Sequence, residues 1–536
     1  MTSNIPNNEN HTDSKLLHDS SMTEIPLRNS GVIRFGWLIP ILVAFAVYYV
    51  ALNNFFTHDD FLWLYRARTF KQDWLQIFRI DVTYFDPLVH LMFWVNYLIG
   101  GLDPRWYHGV DIAIHAANSL LIYYVSRLLG GDERASIYGG ILFASSFAIA
   151  DAILWSSSRV DLLSTFFSLC ALTQFLLYLR SEKRRNLLLS FMLFILALGA
   201  KGTPLILPLI LLWLIIQEKK PIGYALRLIP FGVVVILYII LLKLTTNNTS
   251  LTIGSLNFNI GNIVMAFCAL FIPEVILDGL NFNITAACLF VVVSALGLIA
   301  LPLKSTIMLR RTGYCILLVA IMPVLITTNF RIPTRYSDPY LVFASPSHRI
   351  YLASVGTALL GGGLLRSIEI LFGKYFQRIS TVAIVLLLAG VVTGNAYLVR
   401  ERDQLWETMG NRAKNAFNGL QHYRQQVGEG SLIELAFFPG GGFVGPMAKM
   451  SLDINDATIQ KDVYIGKILD PEILSKAEKS FLFVFGRDGH VYDKSQQYRQ
   501  LLLFSRMAML NPNYSLYDST CQAITMQLIR DVERIK

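Results

Sequence analysis

The sequence predicts a mainly α-helical, polytopic membrane protein with a small α/β domain at its carboxyl end. Three observations carry that prediction. The 536 residues are 54% hydrophobic and only 15% charged, and the mean hydropathy is +0.48, too apolar for a water-soluble chain of this size. The apolar residues fall in runs close to the ~20 needed to cross hydrocarbon. The charges collect in short clusters between those runs. A disordered chain, a fibrous repeat and an ordinary cytosolic enzyme are excluded. The formal net charge of +9 needs no nucleic-acid partner, because loops rich in Lys and Arg on the cytoplasmic side produce such an excess.

In chain order, residues 1–34 are polar and read as a flexible cytoplasmic tail without a cleavable signal. Spanning runs are Phe35 to Asn53, Trp106 to Leu129, Ala135 to Ile153, Val160 to Leu179, Ala225 to Leu244, Phe282 to Leu303, Gly313 to Asn329, Ile350 to Leu371 and Ser380 to Val399. Leu187 to Gln217 is broken by Gly199, Lys201, Gly202, Pro204 and Pro208 and has basic clusters on both flanks, so it reads as a hairpin with Lys201 at its outer tip. Asp86 to Gly100 is too short to span and suits an interfacial or re-entrant helix. Ile260 to Leu277 holds Pro273 and Glu274 and reads as re-entrant, which keeps the Lys304 to Arg311 loop inside. The result is about 11 spans, covering 35–399. Residues 400–536 then read as a soluble outer domain: charged helix from Arg400 to Gln426, strand-like runs Leu432 to Phe438 and Ser480 to Phe485, and an Asp488-Gly489 turn.

This topology places several ionisable residues on one side. Asp59 and Asp60 follow the first span in Thr57-His-Asp-Asp-Phe-Leu-Trp63. Asp151 ends the third span, Arg159 and Asp161 open the fourth, Lys201 tops the hairpin, and Arg331, Arg335, His348 and Arg349 precede the tenth. Charged groups at membrane depth are costly unless paired or functional, so an outward-facing polar cavity is expected. An acidic pair can serve as general base or hold a divalent metal, with His58 as a further ligand, and Lys and Arg can bind a phosphate. Arg159 and Asp161 can also pair with each other. His115 and Asn118, three residues apart, face one side of a helix and read foremost as an internal polar pair. Five cysteines without a CxxC spacing imply neither a disulfide framework nor a zinc site.

The acidic pair after the first span, the block Trp106-Tyr-His-Gly-Val-Asp-Ile-Ala-Ile-His115-Ala-Ala-Asn118, the Trp155 to Leu163 block, Lys201 between short helices, and Ser347-His-Arg-Ile-Tyr-Leu-Ala-Ser-Val-Gly356 together resemble, in the same order, blocks of the GT-C glycosyltransferases. The set is most similar to the transmembrane O-mannosyltransferase branch and more distantly to protein O-mannosyltransferases and the aminoarabinose transferases of lipid A. The resemblance implies a GT-C-like catalytic body and transfer of a sugar from a polyprenyl- or dolichyl-phosphate donor to an acceptor hydroxyl outside the cytoplasm, usually with inversion. It implies Asp59 or Asp60 as base and Lys201 and Arg349 as phosphate contacts, and Arg159, Asp161, Tyr351 and His115 complete the expected substrate-binding set. Arg349 stands one residue closer to Tyr351 than in the family block, with His348 in the aligned place. Gly202 stands where a Glu is common, and no helical repeat array follows the membrane body. No nucleotide motif and no certain cofactor accompany the set. A transporter or lipid flippase is the alternative, a ligand sensor a weaker third, and a bacterial inner membrane is favoured over the endoplasmic reticulum.

Overall fold

The structure is a computed structural model; it describes residues 35–78, 85–245, 270, 306–327, 348–437, 443–461 and 475–510, with a few positions beyond. Trp37–Lys536 forms one compact unit. The run Phe282 to Leu303, the re-entrant segment Ile260 to Leu277, Arg331 and Arg335 lie outside the described residues.

The membrane body is built from α1 (Leu38–Tyr48), α2 (Asp60–Thr69), α3 (Pro87–Gly100), α4 (Pro104–Leu128), α5 (Glu133–Ala144), α6 (Ala150–Leu154), α7 (Arg159–Ser181), α8 (Arg184–Leu198), α9 (Leu207–Gln217), α10 (Ile229–Thr245), α11 (Ile307–Thr327) and α12 (Tyr351–Gln421). Caps follow local sequence: the Asp103 and Asp132 side chains accept from the backbone N–H groups of Arg105 and Ala135, opening α4 and α5. Along α10, Ile229, Val233, Ile236, Leu237, Ile240 and Leu244 are exposed, as are Val382, Val385 and Leu386 of α12. Helices apolar on their outer face are solvated by lipid, and the chain is an integral membrane protein.

Among the described residues, three helical stretches are long and apolar enough to span by themselves: Ser156–Ser181, Ile222–Leu244 and Tyr351–Gln421. The pair Glu133–Ala144 and Phe147–Leu154 makes a fourth if taken as one bent span. That count is of the described residues alone and leaves the expected number of about 11 untested; within it, the hairpin arms α8 and α9 have 15 and 11 residues, short of the ~20 that a straight span needs. The run Ala135 to Ile153 is not one straight helix. It bends by 48° after Ser145 and Ser146, where the Ser145 hydroxyl donates to the Ile141 carbonyl at 3.0 Å.

Two hairpins are fixed by contacts at their ends. Lys201, between α8 and α9, reaches Asp161 at the start of α7, with Nζ 2.6 Å from Oδ1. Lys220, after α9, reaches Glu182 at the end of α7 at 3.2 Å. The chain therefore climbs and descends beside α7, as the charge pattern predicts. Within α12, Phe376 has non-helical angles (φ −145°, ψ 63°). The Thr381 hydroxyl donates to Glu369 Oε1 at 2.8 Å, although twelve helical residues would separate them by about 18 Å. Residues 351–375 and 377–421 are thus two antiparallel arms.

Backbones approach closely where glycines face each other. A Cβ on Gly362 would lie 2.7 Å from the Gly139 nitrogen of α5, and one on Gly356 would lie 2.4 Å from the Leu317 nitrogen of α11. Small residues permit such packing, which in lipid replaces a hydrophobic driving force between helices.

The carboxyl-terminal part contains strands β1 (Ser431–Ala436), β2 (Ala457–Lys461), β3 (Ser480–Phe485) and β4 (Val491–Asp493) in the order β2-β1-β3-β4. Helices α13 (Val444–Leu452) and α14 (Ser495–Leu510) flank the sheet. β1 pairs in parallel with β2 and β3, and β3 pairs antiparallel with β4. All six residues of β1 are buried, as a central strand covered on both faces should be. Residue 400 falls inside the second arm of α12, so the charged segment Arg400 to Gln426 continues a membrane helix. Phe56, Phe61, Phe93 and Tyr107 of the body share one core with Phe417, Ile433 and Phe483.

Candidate active site

The site is organised by the 3₁₀ turn Ser156–Ser158 and the first turn of α7. Asp60 opens α2 and is almost fully buried. Its Oδ2 accepts the Thr57 N–H at 2.9 Å, and its Oδ1 accepts the N–H and hydroxyl of Ser157 at 2.8 and 2.5 Å. Burial pushes the Asp60 carboxyl up to about 7 against the lowering effect of those bonds, with the charge of Asp59 adding a smaller upward contribution. Asp59 caps α2 and is 32% exposed at its side chain, where it bonds His58 Nδ1. His58 holds a left-handed backbone (φ 47°), a strained conformation for a non-glycine residue.

Four residues along from Ser157, about 6 Å in helical rise, Asp161 binds Lys201. The second Asp161 oxygen is buried without a hydrogen-bond partner among the described residues. Arg349 donates from Nε to His348 Nε2 at 3.3 Å and has no carboxylate within ion-pair distance among the described residues. Burial holds the His348 imidazole well below its ordinary value, aided by the cations Arg349, Lys201 and Arg402, so His348 is neutral beside them. Trp155 joins the two halves: its ring lies 6.0 Å from that of His58, 5.7 Å from that of His348, and stacks on Trp406 at 5.6 Å. Phe443, next to α13, reaches His58 at 6.1 Å.

Several predicted residues occupy the interior instead. Arg159 does not pair with Asp161. It is fully buried, donates from Nε to Asp111 Oδ1 at 2.6 Å and from Nη2 to the Tyr107 carbonyl at 2.9 Å, and lies over the Phe93 ring. With its guanidinium enclosed on all these sides, Arg159 has no face for a substrate. His115 is fully buried, its Nδ1 2.7 Å from the Tyr351 hydroxyl, and Asn118 donates to the same hydroxyl at 3.2 Å. His115, Asn118 and Tyr351 are therefore one internal polar cluster tying α4 to α12. His58, Asp59 and Asp60 do not make a three-ligand metal cluster, because both Asp60 oxygens are turned to Thr57 and Ser157. Among the described residues no group of three His, Cys, Asp or Glu side chains could hold a metal.

Sequence reasoning missed Arg402 and Trp406. Arg402 binds Asp151 through Nε and Nη2, both at 2.8 Å, and the Trp406 indole N–H donates to Asp151 Oδ1 at 2.8 Å. Asn54 donates to Asp403 at 2.8 Å. These bonds pin the second arm of α12 against α6 and the segment that follows α1. The readable signal was Asp151 itself, a carboxylate at a span end that required a cation.

Fold and site define a multi-span membrane protein with an acid and a group of cations at the helix ends on one side. No family model matches the chain. It is 35% identical over 120 residues to the protein O-mannosyl-transferase Tmtc1 of Drosophila melanogaster, a match covering 22% of this chain and 14% of that protein. It is 31% identical over 152 residues to the protein O-mannosyl-transferase TMTC2 of Homo sapiens, covering 25% and 18%. The chain thus matches less than a fifth of the length of either relative. Both are O-mannosyltransferases, the group its sequence blocks resemble. Among solved structures, it superposes on ArnT from Cupriavidus metallidurans, bound to undecaprenyl phosphate, with a TM-score of 0.48 and 15% identity over 83% of this chain and 88% of that one. The Archaeoglobus fulgidus oligosaccharyltransferase tethered to an acceptor peptide gives 0.45 and 12% over 81% and 64%.

Proposed function

We propose that the protein is a glycosyltransferase that moves a sugar from a polyprenyl-phosphate-linked donor to an acceptor hydroxyl on the Asp59 side of the membrane. One observation carries the reading. The acid pair and one of the cations are fastened to the same short segment, Asp60 through Ser157 and Lys201 through Asp161. A donor whose phosphate met the cations would thereby hold its anomeric carbon towards the acid. Similarity to O-mannosyltransferases supports this over a transporter or flippase.

The step is a single displacement. The acceptor oxygen forms a bond to the anomeric carbon, and the bond from that carbon to the phosphate oxygen breaks. Asp59 takes the hydroxyl proton, because it is the accessible carboxylate of the pair and a base must reach its proton. Asp60, enclosed by three hydrogen bonds, positions the turn carrying Asp59. The departing lipid phosphate keeps the electron pair, and Arg349 with Lys201 stabilises its charge. Neutral His348 orients Arg349 without adding a competing charge.

The test supplies purified protein in nanodiscs with mannosyl-phospho-undecaprenol and, separately, mannosyl-phospho-dolichol, and measures released lipid phosphate. Turnover is expected with one carrier, and which one distinguishes the bacterial inner membrane favoured from sequence from the endoplasmic reticulum. Turnover that survived Asp59→Asn combined with Asp60→Asn would sink the reading.

A further inference from the structure

A pocket lies towards the other end of α7, where Tyr178 stands about 26 Å from Asp161 by helical rise. Its volume is about 490 Å³, and Tyr178, Arg184, Leu187, Phe191, Arg227 and Phe231 line it. The floor is apolar and the rim cationic. Around it the segments Arg180 to Arg185, Glu218 to Lys220 and Arg227 bring seven cations against two carboxylates, Glu182 and Glu218. The Glu182 carboxylate, which also borders the pocket, is already engaged by Lys220 and the Tyr224 hydroxyl. Arg227 is held in place over two rings, 4.3 Å from the Tyr224 centroid and 5.3 Å from that of Tyr178. Tyr178 is 1% exposed, and its hydroxyl is buried with no hydrogen-bond partner among the described residues. A buried hydroxyl without a partner carries a desolvation cost that a ligand oxygen would remove. Leu188, Leu226 and Ile229 are exposed around the mouth, so the pocket opens onto a lipid-solvated face.

We propose that this pocket binds an anionic phospholipid of the adjoining leaflet. Its phosphodiester would sit between Arg184 and Arg227 and accept from the Tyr178 hydroxyl, and one acyl chain would lie along Leu187, Phe191 and Phe231. A cationic rim over an apolar floor matches that ligand at both ends, since guanidinium groups suit phosphate oxygens and a free phosphate would leave the floor unused. The proposal stands apart from the glycosyltransferase reading, because none of these residues touches the Asp59 site.

The test embeds the full chain in nanodiscs of mixed phosphatidylcholine and phosphatidylglycerol and counts retained lipids by native mass spectrometry. The wild type should retain one phosphatidylglycerol with roughly tenfold preference over phosphatidylcholine. Arg184→Gln with Arg227→Gln should abolish that preference while helicity by circular dichroism in pure phosphatidylcholine stays unchanged. Tyr178→Phe, a smaller change, should weaken it several-fold. The assignment is overturned if the double variant keeps the preference, if the wild type shows none, or if millimolar glycerol phosphate displaces the lipid completely.

Discussion

The Nζ atom of Lys201 lies 2.6 Å from Oδ1 of Asp161, joining the tip of the α8–α9 hairpin to the first turn of α7. Both side chains are largely buried, at 14% and 4% exposure. The pair therefore both closes the hairpin and sets a cation beside the candidate donor site.

Lys201→Met should be costly twice. Removing one partner of a buried pair leaves an uncompensated charge, a loss of about 3–5 kcal/mol. Adding Asp161→Asn should restore most of that stability, which thermal unfolding in detergent will report. Lipid-phosphate release should stay low in the double variant, with a raised KM for the donor. Recovery of activity along with stability would show Lys201 to be purely structural.

Asp59→Asn and Asp60→Asn should separate by readout. Asp59 is about a third exposed and, among the described residues, its carboxylate bonds only the neighbouring imidazole, so its amide variant should melt like the wild type while turnover falls by at least ~10²-fold. Asp60→Asn places an amide N–H against the Thr57 or Ser157 donors, costing about 1–3 kcal/mol, and loses activity together with stability. Equal melting of both variants would contradict the positioning role of Asp60.

The raised Asp60 value fixes a pH slope. Folded, the carboxyl titrates near 7, against about 3.9 in an unfolded chain. Between these values the native state holds the proton that the unfolded state has released, so stability falls as pH rises from about 4 to about 7 and then levels off. The full difference corresponds to about 4 kcal/mol. Chemical denaturation across this window should show that slope in the wild type and lose its Asp60 share in Asp60→Asn. The two proteins should therefore be closer in stability at pH 8 than at pH 5.

Much of this architecture was readable because periodicity and loop charge act locally. The basic flanks of Leu187 to Gln217 foretold a hairpin, and the three-residue spacing of His115 and Asn118 foretold their shared face, where both reach Tyr351. Partner choice was not readable. Arg159 and Asp161 look paired by adjacency, yet each binds a residue 40 or more positions away, Asp111 and Lys201. The bend at Ser145-Ser146 was not readable because apolar residues continue on both sides of it, although that pair marks a place where a hydroxyl can compete with the helix ladder. The α12 extension past residue 400 was hidden by its charges, which suggest water, whereas Arg402 and Asp403 are spent on Asp151 and Asn54.

Glycine packing gives a test of the bundle that leaves the chemistry untouched. A Cβ on Gly356 would meet the Leu317 nitrogen at 2.4 Å and the Gly313 carbonyl at 2.5 Å. Both are backbone atoms and cannot turn aside. Gly356→Ala should push α11 from the first arm of α12 and cost about 1–3 kcal/mol, whereas Gly394→Ala, with nothing within 4 Å, should be neutral or slightly stabilising. Matching melting temperatures for these two variants would refute the close crossing.

Arg402 supplies the last test, because it links the outer part of α12 to the bent third segment. Its Nε and Nη2 each meet a different oxygen of Asp151, a two-point pairing that an ammonium cannot copy. Arg402→Lys should therefore behave nearly as badly as Arg402→Met, losing about 3 kcal/mol or more. Asp151 also holds the Trp406 indole, and Trp406 stacks on Trp155, which faces His58 and His348. Loosening Arg402 should thus disturb the site through that aromatic chain. Turnover at a temperature where Arg402→Lys remains folded should drop by about tenfold, and tryptophan fluorescence should shift to the red as Trp155 and Trp406 gain water. A variant with reduced melting temperature but unchanged turnover and fluorescence would confine Arg402 to holding the fold and disconnect it from the site.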